Sequence, residues 1–385
     1  MSTQKLRIKL IRILITGAHG FIGENFQLFL RDRADVQVRL YLRQDGSKKL
    51  ADLLNDTDIV YHLAGVNRPQ DTLEFQADNV DLTSLLAENL VRIFRSTGKG
   101  IPVVFTSSIQ ATLDTPYGLS KRQAEDILWR LAENYPVPVY IFRLPNVFGK
   151  WCRPNYNSVV ATFCHNIARD QTIQINDPEA KLTLVYVDDV MKEFVEILEG
   201  NMSAPIVGTF VEVGQKYQTT VGLLAELLKG FRKSRDTLMS DHVGCGLVRA
   251  LYSTYVSYLP VEDFSYAVPQ HSDSRGKFVE ILKTPDSGQF SYFTAHVGVT
   301  RGGHYHHSKT EKFLVIRGQA LFRFRHMQTG DSHELRTSGV VPQIVETVPG
   351  WTHDITNVGS EEMIVMLWAN EVFDRDNPDT FRCPL

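Results

Sequence analysis

The sequence predicts an α/β domain built on a parallel, doubly wound sheet, followed by an all-β barrel. Three observations carry this expectation. A short apolar run near the N-terminus ends in a glycine-rich turn, strand-like and helix-like segments alternate behind it, and the C-terminal third consists of short alternating runs separated by glycines. A chain of 385 residues exceeds one comfortable core and fits two domains. With 43% hydrophobic residues, 22% charged residues and a formal net charge of -3, it gives no electrostatic reason to expect a nucleic-acid or acidic-membrane partner. The basic N-terminus before Ile13–Thr16 superficially looks like a signal peptide, but the run is too short and leads into a glycine turn. No stretch of about 18 apolar residues is present to span a bilayer. Cys152, Cys164, Cys245 and Cys383 lie far apart without CxxC spacing, as free thiols of a reducing compartment do, so the cytosol is expected.

Ile11 to Thr16 reads as the first strand, and Gly17-Ala-His-Gly20-Phe21-Ile22-Gly23 follows at once. Ile22, Phe26, Phe29 and Leu30 then recur at helical spacing. Glycines at 17, 20 and 23 suit a tight turn, a close approach of backbone to a pyrophosphate, and close packing of helix on strand. Val36 to Leu42 alternates as a second strand, whose end meets the adenosine ribose in such folds. Arg43 stands there instead of an acid; an arginine pairs with a 2′-phosphate, so NADPH is favoured over NADH, with Asp45 as a counter-signal. Further strands are expected at Ile59 to Leu63 and Pro102 to Ser107, separated by a helical stretch from about Glu74 to Ser96.

Phe105-Thr-Ser-Ser-Ile-Gln-Ala precedes Tyr117-Gly-Leu-Ser-Lys121. A tyrosine and a lysine four apart near a helix start share one face, so the ammonium lowers the pKa of a phenol that is otherwise about 10 and makes it a usable proton donor. A lone pair of this kind is usually a surface accident. The glycine turn, His62-Leu63-Ala64-Gly65 and the serine pair weigh against that here.

On these residues, with Asn79 in Asp78-Asn-Val, the front of the chain resembles the extended short-chain dehydrogenase/reductase family over about residues 10 to 235. The resemblance implies that Tyr117 is the general acid, that Lys121 binds the nicotinamide ribose and tunes Tyr117, that Ser108 orients the carbonyl with Ser107 as its rival, and that Asn79 supports the proton relay. It likewise implies cofactor contacts from Gly17, Gly20, Phe21, Ile22, Gly23, Leu63, Ala64, Gly65 and Arg143, the last in Arg143-Leu-Pro-Asn-Val-Phe-Gly149. Tyr186-Val-Asp-Asp-Val190 is similar to the family's late substrate-domain segment. In Lys150-Trp-Cys-Arg-Pro-Asn-Tyr-Asn-Ser158, Lys150 and Arg153 suit phosphate and Asn157 suits sugar hydroxyls; a solvated loop is the alternative. Thr219-Thr220 caps a helix from Val221 to about Phe231, and the expected division is residues 1-245, a connector over 246-265, and 266-385.

The back half contains Gly298-Val-Thr-Arg-Gly-Gly-His304-Tyr-His306-His307-Ser-Lys-Thr-Glu311 and later Gly350-Trp-Thr-His353. His304 and His306 project from one face of a strand, Glu311 adds an oxygen from the next strand, and His353 offers a third imidazole. Three nitrogens and one oxygen suit a divalent metal, zinc first, with iron, nickel and manganese open by residue type. His307 faces the other way and reads as structural rather than as a ligand, and His165, His271 and His333 read as surface or core residues. This spacing resembles the two cupin motifs, except that Pro349 sits one place nearer the glycine. Asp273-Ser-Arg-Gly-Lys-Phe-Val-Glu280 with Arg301-Gly-Gly-His304 also resembles the deoxysugar 3,5-epimerases of the cupin superfamily, whose histidine base would here be a ligand. The base is left among Glu280, Lys312 and His307.

With Ala64-Gly-Val-Asn-Arg-Pro69 and Tyr252-Ser-Thr-Tyr-Val-Ser-Tyr-Leu-Pro260, the order reductase then cupin is similar to the bifunctional capsular-polysaccharide and O-antigen enzymes that make UDP-N-acetyl-L-fucosamine precursors. That resemblance implies a UDP-sugar substrate, C3 epimerisation of a 4-hexulose in the cupin, NADPH-dependent C4 reduction to the L-talose product in the front half, and a homodimer. The alternative keeps the reductase and makes the metal-bound cupin structural or regulatory.

Overall fold

The aliphatic runs of the front half form five strands, β1 (Ile11–Thr16), β2 (Val36–Tyr41), β3 (Ile59–His62), β4 (Val103–Ser108) and β5 (Val139–Leu144). Between them run helices α1 (Phe21–Leu30), α2 (Ser47–Leu54), α3 (Leu82–Thr97) and α4 (Pro116–Asn134). All pairings are parallel, in the order β2-β1-β3-β4-β5. The winding reverses between β1 and β3, and such a switch opens a crevice at the carboxyl ends of the strands. Every residue of β3 and β4 is buried, as strands covered on both faces must be. The expected helix from Glu74 starts as a π-helix over Phe75–Asp81 before continuing as α3. The computed structural model describes residues 10–69, 71–268, 270–273, 276–279, 282, 288–371 and 376–385.

The chain continues through β6 (Asn146–Phe148), α5 (Val159–Ile167), β7 (Lys181–Tyr186), α6 (Val187–Leu198), β8 (Tyr217–Thr220), α7 (Val221–Thr237) and α8 (Gly246–Val256). By contacts it divides into two compact units, one ending at Val147 but including Thr183–Tyr217, the other made of Phe148–Leu182 and Gln218–Leu385. This differs from the division expected at residue 245. The stretch 246-265, expected as a connector, is mostly α8 and a 3₁₀ turn over Val261–Phe264. Its tyrosines are core residues: Tyr252 and Tyr255 are almost fully buried, and their rings lie 5.1 and 6.0 Å from that of Phe231 on α7.

The remaining strands are β9 (Ser265–Ala267), β10 (Gln270–Asp273), β11 (Gly276–Val279), β12 (Gln289–Ala295), β13 (Thr300–Tyr305), β14 (Glu311–Arg317), β15 (Gln319–His326), β16 (Ser332–Ser338), β17 (Gln343–Glu346), β18 (Trp351–Asn357), β19 (Met363–Ala369) and β20 (Phe381–Arg382). They build a β10-β11 hairpin and two five-stranded sheets, β12-β19-β14-β17-β9 and β16-β15-β18-β13-β20, with antiparallel pairing throughout. This is the all-β domain expected. Among the described residues no helix is long and apolar enough to cross a membrane.

Candidate active site

In the first unit the β1–α1 turn is built for close approach. Gly17 has φ 70°, and a Cβ there would meet Ala64 N at 2.5 Å; a Cβ at Gly23 would meet Gly17 O at 2.3 Å. Gly20 is the N-cap of α1, whose first residues Phe21 and Ile22 are half-buried, and no side chain caps that end. Such a helix start presents backbone N–H groups and a positive dipole end to an anion.

Asn79 lies on the π-helix, the rare irregularity that recurs at functional sites. It is 2% exposed; its Oδ1 accepts from Val66 N at 2.9 Å, and its Nδ2 donates to Ser120 Oγ at 2.9 Å and to Val66 O at 3.1 Å. A buried chain of hydrogen bonds supports it. Thr83 Oγ1 donates to Asn79 O at 2.6 Å, so it accepts from His62 Nε2 at 2.9 Å, and His62 Nδ1 accepts from Thr16 Oγ1 at 2.7 Å. Burial, then nearby Lys121, lowers the His62 pKa to about 3, so the ring is neutral and its tautomer is fixed by its two threonines.

Thr115 caps α4 by accepting from Gly118 N at 3.1 Å, which puts Tyr117 and Lys121 one turn apart at the helix start. Tyr117 packs its ring 5.9 Å from Phe75, and Lys121 Nζ donates to Thr106 O at 2.7 Å. Burial lowers the Lys121 pKa to about 8. A Cβ at Gly65 would lie 2.8 Å from Asn79 Oδ1 and 3.6 Å from Lys121 Nζ, so these three predicted positions converge. Ser107 donates to buried Glu125, whereas Ser108 Oγ, at the end of β4, accepts from Gln110 N at 3.1 Å. Arg143 is gripped by Glu125 through bonds of 3.0 and 2.7 Å and lies 3.9 Å over the Phe210 ring. The sequence gives no sign of Glu125, since a lone helical glutamate carries no signal of burial against a distant arginine. Arg43 is exposed and pairs with Glu74 and Asp78 at 2.7 and 2.8 Å.

In the second unit Lys150 is buried, whereas Arg153 and Asn157 are exposed. Arg153 lies 5.0 Å over Tyr156. Trp151 has φ 68°, and its Nε1 donates to His326 Nε2 at 3.2 Å.

The four predicted ligands converge: the ligand atoms of His304, His306, Glu311 and His353 all lie within 4.8 Å of one another. His304 and His353 are cross-strand partners on β13 and β18, and the β13 register shifts between Gly302 and His304. His306 Nδ1 faces Asp379 O at 2.6 Å; a carbonyl only accepts, so the proton sits on Nδ1 and the Nε2 lone pair points to Glu311 Oε2 at 3.0 Å. Two acceptors at that distance call for a cation between them. Both ring nitrogens of His353 are buried without a hydrogen-bond partner among the described residues. Burial, then His353 and His306, lowers the His304 pKa to about 3, and burial lowers that of His353, so both are neutral ligands. The donor set and its orphaned nitrogens fit a divalent ion.

Of the three candidate bases, Glu280 lies outside the described residues. Lys312 alternates with Glu311 on β14 and so faces away from the four ligands; it is buried against Glu346 and hydrogen-bonded to Tyr266 at 3.2 Å. Burial disfavours its charge, yet Glu346 outweighs that and holds the ammonium well above its usual pKa, which removes it as a base. His307 packs 4.9 Å from Phe381 and 5.6 Å from Tyr305, the structural place expected.

Comparison with known proteins agrees with this architecture. Residues 13–211 match the NAD dependent epimerase/dehydratase family, and residues 271–381 match the polysaccharide biosynthesis C-terminal domain. A Pseudomonas aeruginosa protein named UDP-2-acetamido-2,6-beta-L-arabino-hexul-4-ose reductase is 57% identical over 97% of this chain and 98% of its own. The crystal structure of the capsular polysaccharide assembling protein CapF from Staphylococcus aureus matches with a TM-score of 0.65 and 42% identity, over 97% of this chain and 100% of that one. CapF with the inhibitor 3-isopropenyl-tropolone matches with a TM-score of 0.61 and 38% identity, over 97% and 100%. The chain therefore belongs to the NAD dependent epimerase/dehydratase family and, along nearly its whole length, to the family of the UDP-2-acetamido-2,6-beta-L-arabino-hexul-4-ose reductase.

Proposed function

We propose that the protein is a bifunctional nucleotide-sugar enzyme that epimerises C3 of a UDP-2-acetamido-2,6-dideoxy-4-hexulose at its metal centre and then reduces C4 to the L-talose product at its Tyr117 site. The reductase is read as residues 1-245 and the epimerase as the cupin over 266-385, with 246-265 joining them. The observation that carries the reading is the presence, in one chain, of two complete constellations suited to one carbonyl: Tyr117 and Lys121 on α4, and three imidazoles with a carboxylate in the β domain.

Bound NADPH would supply hydride to C4. Gly17, Gly20, Phe21, Ile22 and Gly23 hold its pyrophosphate, Leu63, Ala64 and Gly65 line its path, and Lys121 holds the nicotinamide ribose. Arg43 pairs with the 2′-phosphate, sharing its guanidinium with Glu74 and Asp78. Tyr117 gives its proton to the C4 oxygen, Ser108 orients that oxygen, and Asn79 supports the proton relay. Ser107 is the weaker candidate because Glu125 already takes its hydroxyl. Arg143 acts through Glu125, which fixes β5 against α4 beside the nicotinamide. Lys150, Arg153 and Asn157 serve the sugar diphosphate.

A divalent ion, zinc first, would act at the second site as a Lewis acid for the enolate that forms when C3 is deprotonated. His304, His306, Glu311 and His353 hold it. The 4-keto group makes the C3 hydrogen acidic, and reduction destroys that acidity, so epimerisation precedes reduction. A homodimer in the cytosol suits the family, and the four free cysteines suit a reducing compartment.

The test is incubation of the protein with the 4-keto sugar in deuterated water, with and without NADPH. Deuterium at C3 without NADPH, and a reduced epimer with it, is the expected result. Reduction without any C3 exchange would assign the metal-bound domain a structural or regulatory role instead.

A further inference from the structure

The segment that joins two of the metal ligands, His306 to Glu311, is buried, and its backbone N–H groups are taken by side chains from elsewhere in the second unit. His307 N donates to Asp379 Oδ1 at 2.9 Å, while Ser308 N and Lys309 N donate to Asp379 Oδ2 at 2.9 and 2.7 Å. Ser308 Oγ donates a third bond to Oδ2 at 3.0 Å, the fourth to this carboxylate. Thr310 N then donates to Asn370 Oδ1 and Glu311 N to Thr347 Oγ1, both at 2.9 Å. Five consecutive N–H groups are thus satisfied by three side chains, and one carboxylate takes three of them. The backbone carbonyl of the same Asp379 fixes the His306 tautomer. Asp379 itself has φ 35°, a left-handed conformation uncommon for a residue with a side chain, which lets its carbonyl reach His306 while its carboxylate reaches the next three residues.

We infer that Asp379 is a positioning residue for the metal centre: its carboxylate sets the spacing of His306 and Glu311, and its carbonyl holds the His306 ring by Nδ1. Its carboxylate does for the His306–Glu311 turn what an outer-shell partner does for a single ligand, and loss of such partners costs about 10–100-fold in metal affinity. Arg249 and Ser253 on α8 reach the same turn, through Ser308 Oγ and Ser308 O, so the turn is held from both sides. The inference rests on the reading of the four ligands as a metal centre.

The experiment titrates zinc into the full-length native chain, Asp379→Ala and Asp379→Asn, in competition with a chromogenic chelator, at a temperature where circular dichroism shows each folded. The native chain should bind one zinc. Asp379→Ala should bind it about 10–100-fold more weakly. Asp379→Asn, which keeps one acceptor oxygen but confronts the N–H groups with an amide, should fall between. The visible spectrum of the cobalt-loaded variants should change in band position, which a loss of stability alone does not produce. Native-like zinc affinity and cobalt spectrum in folded Asp379→Ala would overturn the positioning role and leave the metal centre standing. If Asp379→Ala does not fold, the same result for Asp379→Asn overturns it. A native chain that binds no zinc overturns both readings.

Discussion

Tyr117 and Lys121 stand one turn apart on α4, and the depressed pKa of Lys121 gives that pair a defined working range. Below about 8 the ammonium is charged and favours ionisation of the phenol; above it the charge is lost, along with the help it gives to proton transfer. The kcat/KM for NADPH, which reports groups of the free enzyme, should therefore fall as pH rises through about 8, and a profile flat to strongly alkaline pH would argue against this role for Lys121. Replacing Tyr117 by Phe removes the proton donor to the C4 oxygen. NADPH consumption with the keto sugar should drop by about two or more orders of magnitude, while deuterium exchange at C3 continues. Loss of both together in a folded variant would defeat the assignment of the two steps to two sites.

At the scale of elements, β14 carries two roles on its two faces. Glu311 turns to His304, His306 and His353, and Lys312 turns to Glu346 on β17, which also pairs with Arg235 on α7 and accepts from Tyr252 of α8 at 3.3 Å. Two buried cations share one buried carboxylate, so Glu346→Gln leaves both short of a counter-charge. Removing one member of such a buried pair costs about 3–5 kcal/mol, and thermal or denaturant unfolding of the second unit should show a loss of that order. A midpoint equal to that of the native chain would mean that the cluster relaxes to water. This network also explains why the tyrosine-rich stretch after residue 245 is a packed helix. The Tyr252 phenol meets Glu346 on β17 and the Lys312 charge on β14, which no local composition reveals.

For the molecule as a whole, the two chemistries should separate by mutation. His304→Ala combined with Glu311→Ala removes two of four ligands, so metal binding and C3 exchange should disappear while NADPH still quenches or shifts the fluorescence of the folded protein. Normal exchange in that variant would move epimerisation away from the second site. Much of this plan was legible in the chain. The glycine turn, the Tyr117–Lys121 spacing and the His304, His306, Glu311 pattern are local signals, because a turn, a helical repeat and a strand alternation each fix their side chains within a few residues, whereas His353 meets them only through the β13–β18 pairing. What only the tertiary structure decided lies in pairs distant along the chain: Asp379 with His306, Glu125 with Arg143, and Lys312 with Glu346. Residues of this kind carry no periodicity. They become partners when burial strips water from a polar group and the nearest complementary atom, 18 to 73 positions away, must replace it.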